Sequence, residues 1–182
     1  KTAMTEASHV GDLVTRLALS HPEVSFRFIN NGQVKLHTSG NGNLKDVIYH
    51  IYGREIASNL IEVDFERKGI HITGYLGKPL ISRGNRNFEN YFVDGRYIKS
   101  SIISKAIEDG YKDFTMQHKY PFVVLYLDVD TEHVDVNVHP TKMDVRFNNQ
   151  QEIYNTLFAA VDDGLHEREL IPEVTLDDIK IP

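Results

Sequence analysis

The run Phe122–Leu127 constrains the fold most, because it follows Pro121 and contains only aliphatic and aromatic residues. A strand that is apolar on both faces must be covered on both sides, as in the interior of a sheet that packs against helices. Four segments have apolar residues at helical spacing and can supply that cover. They are marked by Val10–Ala18, Leu44–Tyr52, Ile102–Ile107 and Ile153–Leu165.

Shorter segments between these helices alternate apolar and polar residues, which is the period of a strand with one wet face. Asn31-Gly32 separates two of them and predicts a hairpin, because such a turn needs positive φ at both central residues. Lys68-Gly69 and Asp94-Gly95 mark two further turns. The resulting order of elements predicts an α+β fold in which helices pack on one mixed β-sheet.

The net charge of −6 argues against a free-standing nucleic-acid-binding protein. The absence of cysteine excludes a disulfide framework, a thiolate zinc site and a cysteine nucleophile. Basic residues are nevertheless concentrated between residues 78 and 119, which hold eight Lys/Arg against five acids. This segment can form a basic face that meets phosphates, although composition alone favours an ordinary solvated surface.

Other candidate sites have weaker signals. The acids between Asp128 and Asp135 are typical of a solvated turn rather than a metal site, and no metal is expected. Gly40–Asn43 precedes a predicted helix, where free N–H groups can bind phosphate, but an ordinary loop with Asn43 as the helix cap is the favoured interpretation. No Gly-x-Ser-x-Gly pattern supports a serine nucleophile.

The stretch Val138-His139-Pro140-Thr141-Lys142 is the most specific local feature. Pro140 cannot donate to a β-ladder and therefore ends the strand before it, so that Lys142 follows a rigid corner. Anchoring the lysine backbone reduces the entropy lost when the ammonium group meets an anion such as a phosphate oxygen. Composition alone nevertheless favours a solvated turn lysine at this point.

The longer segment Val134–Phe147, which contains this stretch, resembles a signature of the MutL-type DNA mismatch-repair ATPases. Phe92–Arg96 resembles the Val-Asn-Gly-Arg strand and turn of the same family, with Asp94 in place of the usual asparagine. The end of the first helix, Arg16–Pro22, resembles the helix that follows the family's ATPase domain. The resemblance covers roughly residues 4–170 and implies the transducer domain, the second domain of the ATPase region.

This resemblance implies a fold like domain 2 of ribosomal protein S5, with a left-handed βαβ crossover that departs from the usual right-handed rule. It implies that residues 1–170 form the transducer domain and that residues 171–182 begin an inter-domain linker. A GHKL-type ATPase domain is expected before residue 1, and a dimerisation domain is expected after residue 182. The absence of an initial methionine fits a fragment of a larger protein.

By the family pattern, Lys142 contacts the γ-phosphate of ATP in the neighbouring domain, which binds the nucleotide with Mg²⁺. It completes that ATPase site, and the fragment alone is not expected to hydrolyse ATP. The resemblance also implies a DNA-binding groove. The candidates are Arg83, Arg86, Arg96, Lys99 and Lys105, while Ser101 stands where the family often has a basic residue.

The implied partners are double-stranded or mismatched DNA, a MutS-type mismatch-recognition protein and a second copy of the parent protein. A cytoplasmic location is expected, or a nuclear one in a eukaryote. A different class of function also remains open, namely a stand-alone nucleic-acid-binding module with an S5-like fold and no nucleotide role. DNA binding by the isolated chain at physiological salt would favour that alternative.

Overall fold

The computed structural model describes residues 2–135 and 145–169. Its helices are α1 Ala3–Ser20, α2 Leu44–Tyr52, α3 Arg54–Ala57, α4 Ser101–Tyr111 and α5 Gln150–Glu169. Its strands are β1 Arg27–Asn30, β2 Gln33–His37, β3 Leu60–Arg67, β4 Ile70–Gly77, β5 Glu89–Val93, β6 Arg96–Tyr97, β7 Val123–Val129, β8 Val134–Asp135 and β9 Arg146–Phe147.

The main sheet has five strands in the order β3-β4-β7-β5-β6, and β7 is its central strand. Neighbouring strands are antiparallel except β5 and β7, which run parallel with Tyr91 opposite Leu125. Helix α4 connects these two parallel strands along the chain. The predicted α+β fold class and mixed sheet are therefore confirmed, while the left-handed sense of the crossover stays a prediction.

The sheet separates two apolar cores, because successive side chains of a strand point to opposite faces. On one face Leu125 and Leu127 pack with residues of α4 and α5. On the other face Val124 and Phe92 pack with residues of α1, α2 and the β1–β2 hairpin. The prediction that Phe122–Leu127 needs cover on both sides is confirmed.

The local signals for turns and helix starts are also confirmed. Asn31 and Gly32 both have positive φ, at 51° and 75°, as the hairpin turn requires. The Asn43 side chain accepts a hydrogen bond from the backbone N–H of Asp46 at 3.2 Å and caps α2. Asp94 occupies a positive-φ turn at 48°, and its carboxylate accepts the Val129 backbone N–H at 3.0 Å. This bond ties the β5–β6 turn to the end of β7.

The two strands predicted around the proline corner are described only at their outer ends. Val134 pairs with Phe147, and Asp135 pairs with Arg146. The corner with Lys142 and the segment 171–182, predicted to begin a linker, lie outside the described residues. Within the described ranges, none of the helices has the length and apolar character needed to cross a membrane.

Candidate functional site

An open cleft of about 1400 Å³ lies beside the start of β5. One side is formed by α1 through His9, Asp12 and Arg16, and the end of α2 contributes Tyr52. The opposite side is formed by α4 and the residues that lead into it. Residues 85–91, between these sides, supply the remainder of the lining. The cleft therefore collects segments that are far apart in the sequence, among them much of the basic segment 78–119.

Helix α4 presents a polar face to this cleft because its polar residues recur at helical spacing. Ile103, Ala106 and Ile107 are buried in the core, whereas the polar residues lie on the other side of the helix. The polar lining residues of α4 are Ser101, Ser104, Lys105, Glu108 and Asp109. One amphipathic helix thus both closes the core and forms a wall of the cleft.

Tyr91 fixes the start of α4 and the position of Lys99 just before it. The Tyr91 hydroxyl donates to the Ser100 carbonyl at 3.0 Å and accepts the Ser100 backbone N–H at 2.9 Å. It also lies 2.9 Å from the Ser104 hydroxyl. Burial raises the pKa of Tyr91, so it stays a neutral phenol at physiological pH. The backbone that carries Lys99 is consequently held by the core.

Lys99 and Lys105 both line the cleft but differ in their partners. Within residues 2–135 and 145–169, the ammonium group of exposed Lys99 makes no hydrogen bond or ion pair. Lys105 instead donates to Asp109 at 2.8 Å, and the Tyr154 hydroxyl donates to the same carboxylate at 2.5 Å. The bond with Lys105 holds the pKa of Asp109 below its usual range. Lys99 is therefore more available than Lys105 to bind an anionic ligand.

Arg86 is also engaged. Its Nε donates to Glu108 at 2.9 Å, and its guanidinium lies 4.6 Å from the centre of the Tyr120 ring. Arg83 lies outside the cleft lining, with its guanidinium 4.6 Å from the Phe88 ring. Backbone hydrogen bonds of 2.7 Å in both directions join Arg83 to Tyr120. These contacts fasten the segment that carries Arg83 and Arg86 to the segment before β7.

Glu89 is the buried acid of the cleft. It is 6% exposed, and both carboxyl oxygens lack a hydrogen-bond partner among the described residues. Burial, followed by the neighbouring charge of Glu108, raises the pKa of Glu89 to about 8, although Arg86 acts in the opposite direction. The carboxyl group is therefore mostly protonated at pH 7.

The structure brings together three of the five basic residues predicted for DNA binding. Arg86, Lys99 and Lys105 share the cleft, while Arg83 and Arg96 are described residues outside its lining. Sequence reasoning did not single out Arg16, which also lines the cleft and stacks 4.2 Å from the centre of the Tyr97 ring. Its position on the exposed side of the first amphipathic helix was the available signal.

Lys142 lies outside the described residues, so its predicted phosphate contact stays a prediction. Among the described residues, no three His, Cys, Asp or Glu side chains converge into a potential metal site. This result covers Asp128, Asp130 and Glu132. The cleft accordingly offers cations and hydrogen-bonding groups for an anionic ligand.

Comparison with known proteins assigns the family. Residues 48–166, about two thirds of the chain, match the profile described as "DNA mismatch repair protein, C-terminal domain". The chain belongs to the MutL family of DNA mismatch-repair proteins. The MutL protein of Agathobacter rectalis is 58% identical over 182 residues, which is 100% of this chain and 28% of that protein.

A second MutL relative, from Thermoanaerobacter pseudethanolicus, is 37% identical over 180 residues and covers 99% of this chain. The match covers 29% of that protein, so the chain spans less than a third of either MutL relative. The resemblance inferred from Val134–Phe147 and Phe92–Arg96 is thus confirmed at the level of the family.

Two solved structures show the same fold at low sequence identity. The N-terminal domain of a DNA repair protein has a TM-score of 0.73 at 21% identity, covering 89% of this chain and 54% of the other. The Aquifex aeolicus MutL ATPase domain complexed with ADP has a TM-score of 0.56 at 16% identity, covering 86% and 49%. These likenesses concern the fold alone, and they confirm the predicted α+β class.

Proposed function

We propose that this chain contributes one wall of a DNA-binding groove in a MutL-type mismatch-repair ATPase and couples that groove to the nucleotide through Lys142. The cleft beside β5 is the proposed wall, with Lys99 as its primary phosphate contact. The single observation that carries the proposal is that Lys99 is exposed, has no ion-pair partner among the described residues, and lies on a backbone that Tyr91 fixes. The family membership supplies the biological setting.

Lysine contacts to phosphates bind nucleic acid with little dependence on sequence, and the affinity falls as salt rises. Arg16 adds a second cation, whose guanidinium group stacks on the Tyr97 ring. Arg86 and Lys105 are paired with Glu108 and Asp109. Exposed ion pairs contribute little free energy, so an approaching phosphate can compete for either cation.

The decisive experiment replaces Lys99 in the full-length protein. For Lys99→Gln we expect duplex DNA to bind roughly three- to tenfold more weakly at low salt, because one phosphate contact is lost. The slope of log affinity against log salt should become shallower by about one unit. Fluorescence anisotropy with a labelled duplex of mixed sequence, titrated at several salt concentrations, measures both quantities.

Lys45→Gln is the matched control, since Lys45 is an exposed lysine of α2 outside the cleft lining. It removes the same charge and should leave the salt slope nearly unchanged. Equal effects of the two substitutions would show that net charge matters and that the cleft does not. Tight DNA binding by this chain alone would instead favour the stand-alone module.

The proposed nucleotide role places Lys142 at the γ-phosphate of ATP, in a site whose Mg²⁺ and other ligands are supplied by the preceding domain. A cation there stabilises the charge that develops during phosphoryl transfer. The nucleotide state then biases the orientation of this domain and the closure of the parent homodimer around DNA. A MutS-type mismatch-recognition protein is the proposed protein partner, as expected for this family.

Lys142→Ala in the full-length protein tests this role. We expect ATP hydrolysis to fall by roughly 100-fold, the scale seen when one preorganised donor is removed from a transition state. Steady-state phosphate release measures the rate, and circular dichroism checks the fold. Lys35→Ala, on the exposed hairpin strand β2, is the control. Wild-type turnover in Lys142→Ala would remove the lysine from the ATPase site.

A further inference from the structure

Glu89 is buried at a place where its charge state changes the electrostatic character of the whole cleft. The lining contains four Arg/Lys residues and, besides Glu89, three carboxylates. These charged residues are Arg16, Arg86, Lys99 and Lys105, with Asp12, Glu108 and Asp109. The lining carries a net charge of +1 when Glu89 is neutral and is balanced when Glu89 is ionised.

We propose that Glu89 is a protonation switch for the cleft, which binds the phosphodiester backbone of DNA tightly only while this buried carboxyl group keeps its proton. This inference rests on the proposed function of the cleft. It goes further by assigning control of DNA affinity to a residue that does not itself contact the phosphates.

The immediate surroundings of Glu89 favour its neutral form. Its oxygens accept no hydrogen bond from any described residue, whereas an ionised carboxylate at this depth needs such donors. The acid whose charge acts on Glu89 is Glu108 on α4, and the Arg86 guanidinium that acts on both acids donates a hydrogen bond to Glu108. Arg86 therefore neutralises the charge of Glu108, and burial is the largest influence on the pKa of Glu89.

Two tyrosines and one lysine around Glu89 keep the same charge across the relevant pH range. Tyr91 on β5 and Tyr111 on α4 have pKa values raised by burial, so both remain neutral. The bond with Asp109 raises the pKa of Lys105, which keeps that lysine charged. On the α1 side the facing groups are His9, Asp12 and Arg16, and a comparison of variants at one pH cancels their contribution.

The pH dependence has a definite sign. The pKa of Glu89 is raised from 4.5 to about 8, so the cleft is positive at pH 7 and loses its excess charge as the pH rises past 8. If DNA binds the protonated form, the affinity falls by up to tenfold per pH unit above that value. We therefore expect the wild-type protein to bind duplex DNA up to about tenfold more weakly at pH 9 than at pH 7.

Glu89→Gln is the test variant, because an amide keeps the shape of the side chain and cannot ionise. In the full-length protein, binding of a labelled duplex is measured by anisotropy from pH 6.5 to 9 at fixed ionic strength. We expect Glu89→Gln to bind equally well across this range. Glu62→Gln, an exposed substitution on β3 at the opposite edge of the sheet, should follow the wild-type profile.

A denaturation series detects the proton on Glu89 without using DNA. Between pH 4.5 and 8 the folded protein holds a proton that the unfolded chain has released. The equilibrium constant for folding should therefore fall by up to tenfold per pH unit across this window, and should fall less steeply in Glu89→Gln. This readout applies to the wild-type protein even if the variant folds poorly.

The outcomes separate the two proposals. Coincident pH profiles for wild type and Glu89→Gln would overturn the switch while leaving a Lys99 effect at pH 7 intact. A Lys99 substitution without effect at pH 7 would refute the cleft as a DNA-binding wall, and the switch with it. A pH-dependent loss confined to proteins that retain Glu89 supports the inference.

Discussion

The two faces of the main sheet are built by different means. On one face α4 and α5 lie close together, since a Cβ added at Gly110 would be 2.6 Å from Cγ1 of Val161. Buried aliphatic residues of α5 fill this side, among them Leu157 and Leu165. On the other face α1, α2 and the hairpin enclose an aromatic cluster that includes Phe92 and Phe122.

The second face also leaves apolar surface uncovered. Leu13 on α1 is 54% exposed, and the cross-strand pair Ile29 and Val34 in the hairpin is about half exposed on each side. The α4–α5 face therefore contributes more stabilisation per side chain, because the free energy gained follows the apolar area removed from water. The cleft lies where the two faces meet, between α1 and α4.

The strongest test of this difference is Leu157→Ala. Leu157 is fully buried between α5 and the sheet, so truncation leaves a cavity in a tightly packed region. We expect the free energy of unfolding to fall by about 2–5 kcal/mol. Equilibrium urea denaturation, followed by circular dichroism, gives this value from the shift in midpoint at constant slope.

Leu13→Ala is the matched control on the other face. It removes the same atoms from a side chain that is more than half exposed, and alanine favours the helix. The free energy of unfolding should change by less than about 0.5 kcal/mol. Similar losses in the two variants would mean that the two faces contribute equally to the free energy of unfolding, which contradicts the expected difference.

A smaller effect is expected at the boundary between core and cleft. Tyr91→Phe keeps the buried ring but removes the hydroxyl that bonds to Ser100 and Ser104. The free energy of unfolding should fall by about 1–2 kcal/mol, because the backbone N–H of Ser100 loses its partner. DNA affinity should fall as well, since the start of α4 no longer fixes Lys99.

Tyr49→Phe serves as the control for this substitution, because the side chain of Tyr49 is half exposed on α2. Urea denaturation and DNA anisotropy are measured on both variants. A stability loss in Tyr91→Phe without any change in DNA affinity would show that Tyr91 stabilises the core but does not position Lys99 for DNA binding.

Local physics made most of the secondary structure predictable. Positive φ at Asn31 and Gly32 follows from the turn chemistry, and the cap at Asn43 follows from its position before an apolar helical stripe. The central position of β7 was predictable because a continuous apolar run does not fit a solvent-exposed edge of the sheet. The pair Lys105–Asp109 is also local, at a spacing of four residues on one helix.

The charge distribution of the cleft was not predictable in the same way. Arg86 pairs with Glu108, 22 residues away, and Tyr154 reaches Asp109 from a helix that begins 39 residues after α4 ends. Such contacts depend on how the helices and loops pack against one another in the folded protein. A basic segment therefore predicted where cations lie along the chain, without showing which cations are already neutralised.

The sequence by itself determined the family, the α+β class and the positions of the turns, because motifs, periodicity and turn residues act over short distances. Only the tertiary structure decided which charges are free and which are buried. In the sequence Lys99 is one of five basic candidates for DNA binding, and Glu89 looks like an ordinary acidic residue. In the folded protein Lys99 is exposed and has no ion-pair partner among the described residues, whereas Glu89 is removed from water. The packing of the whole chain determines both outcomes, because burial depends on segments that are far apart in the sequence.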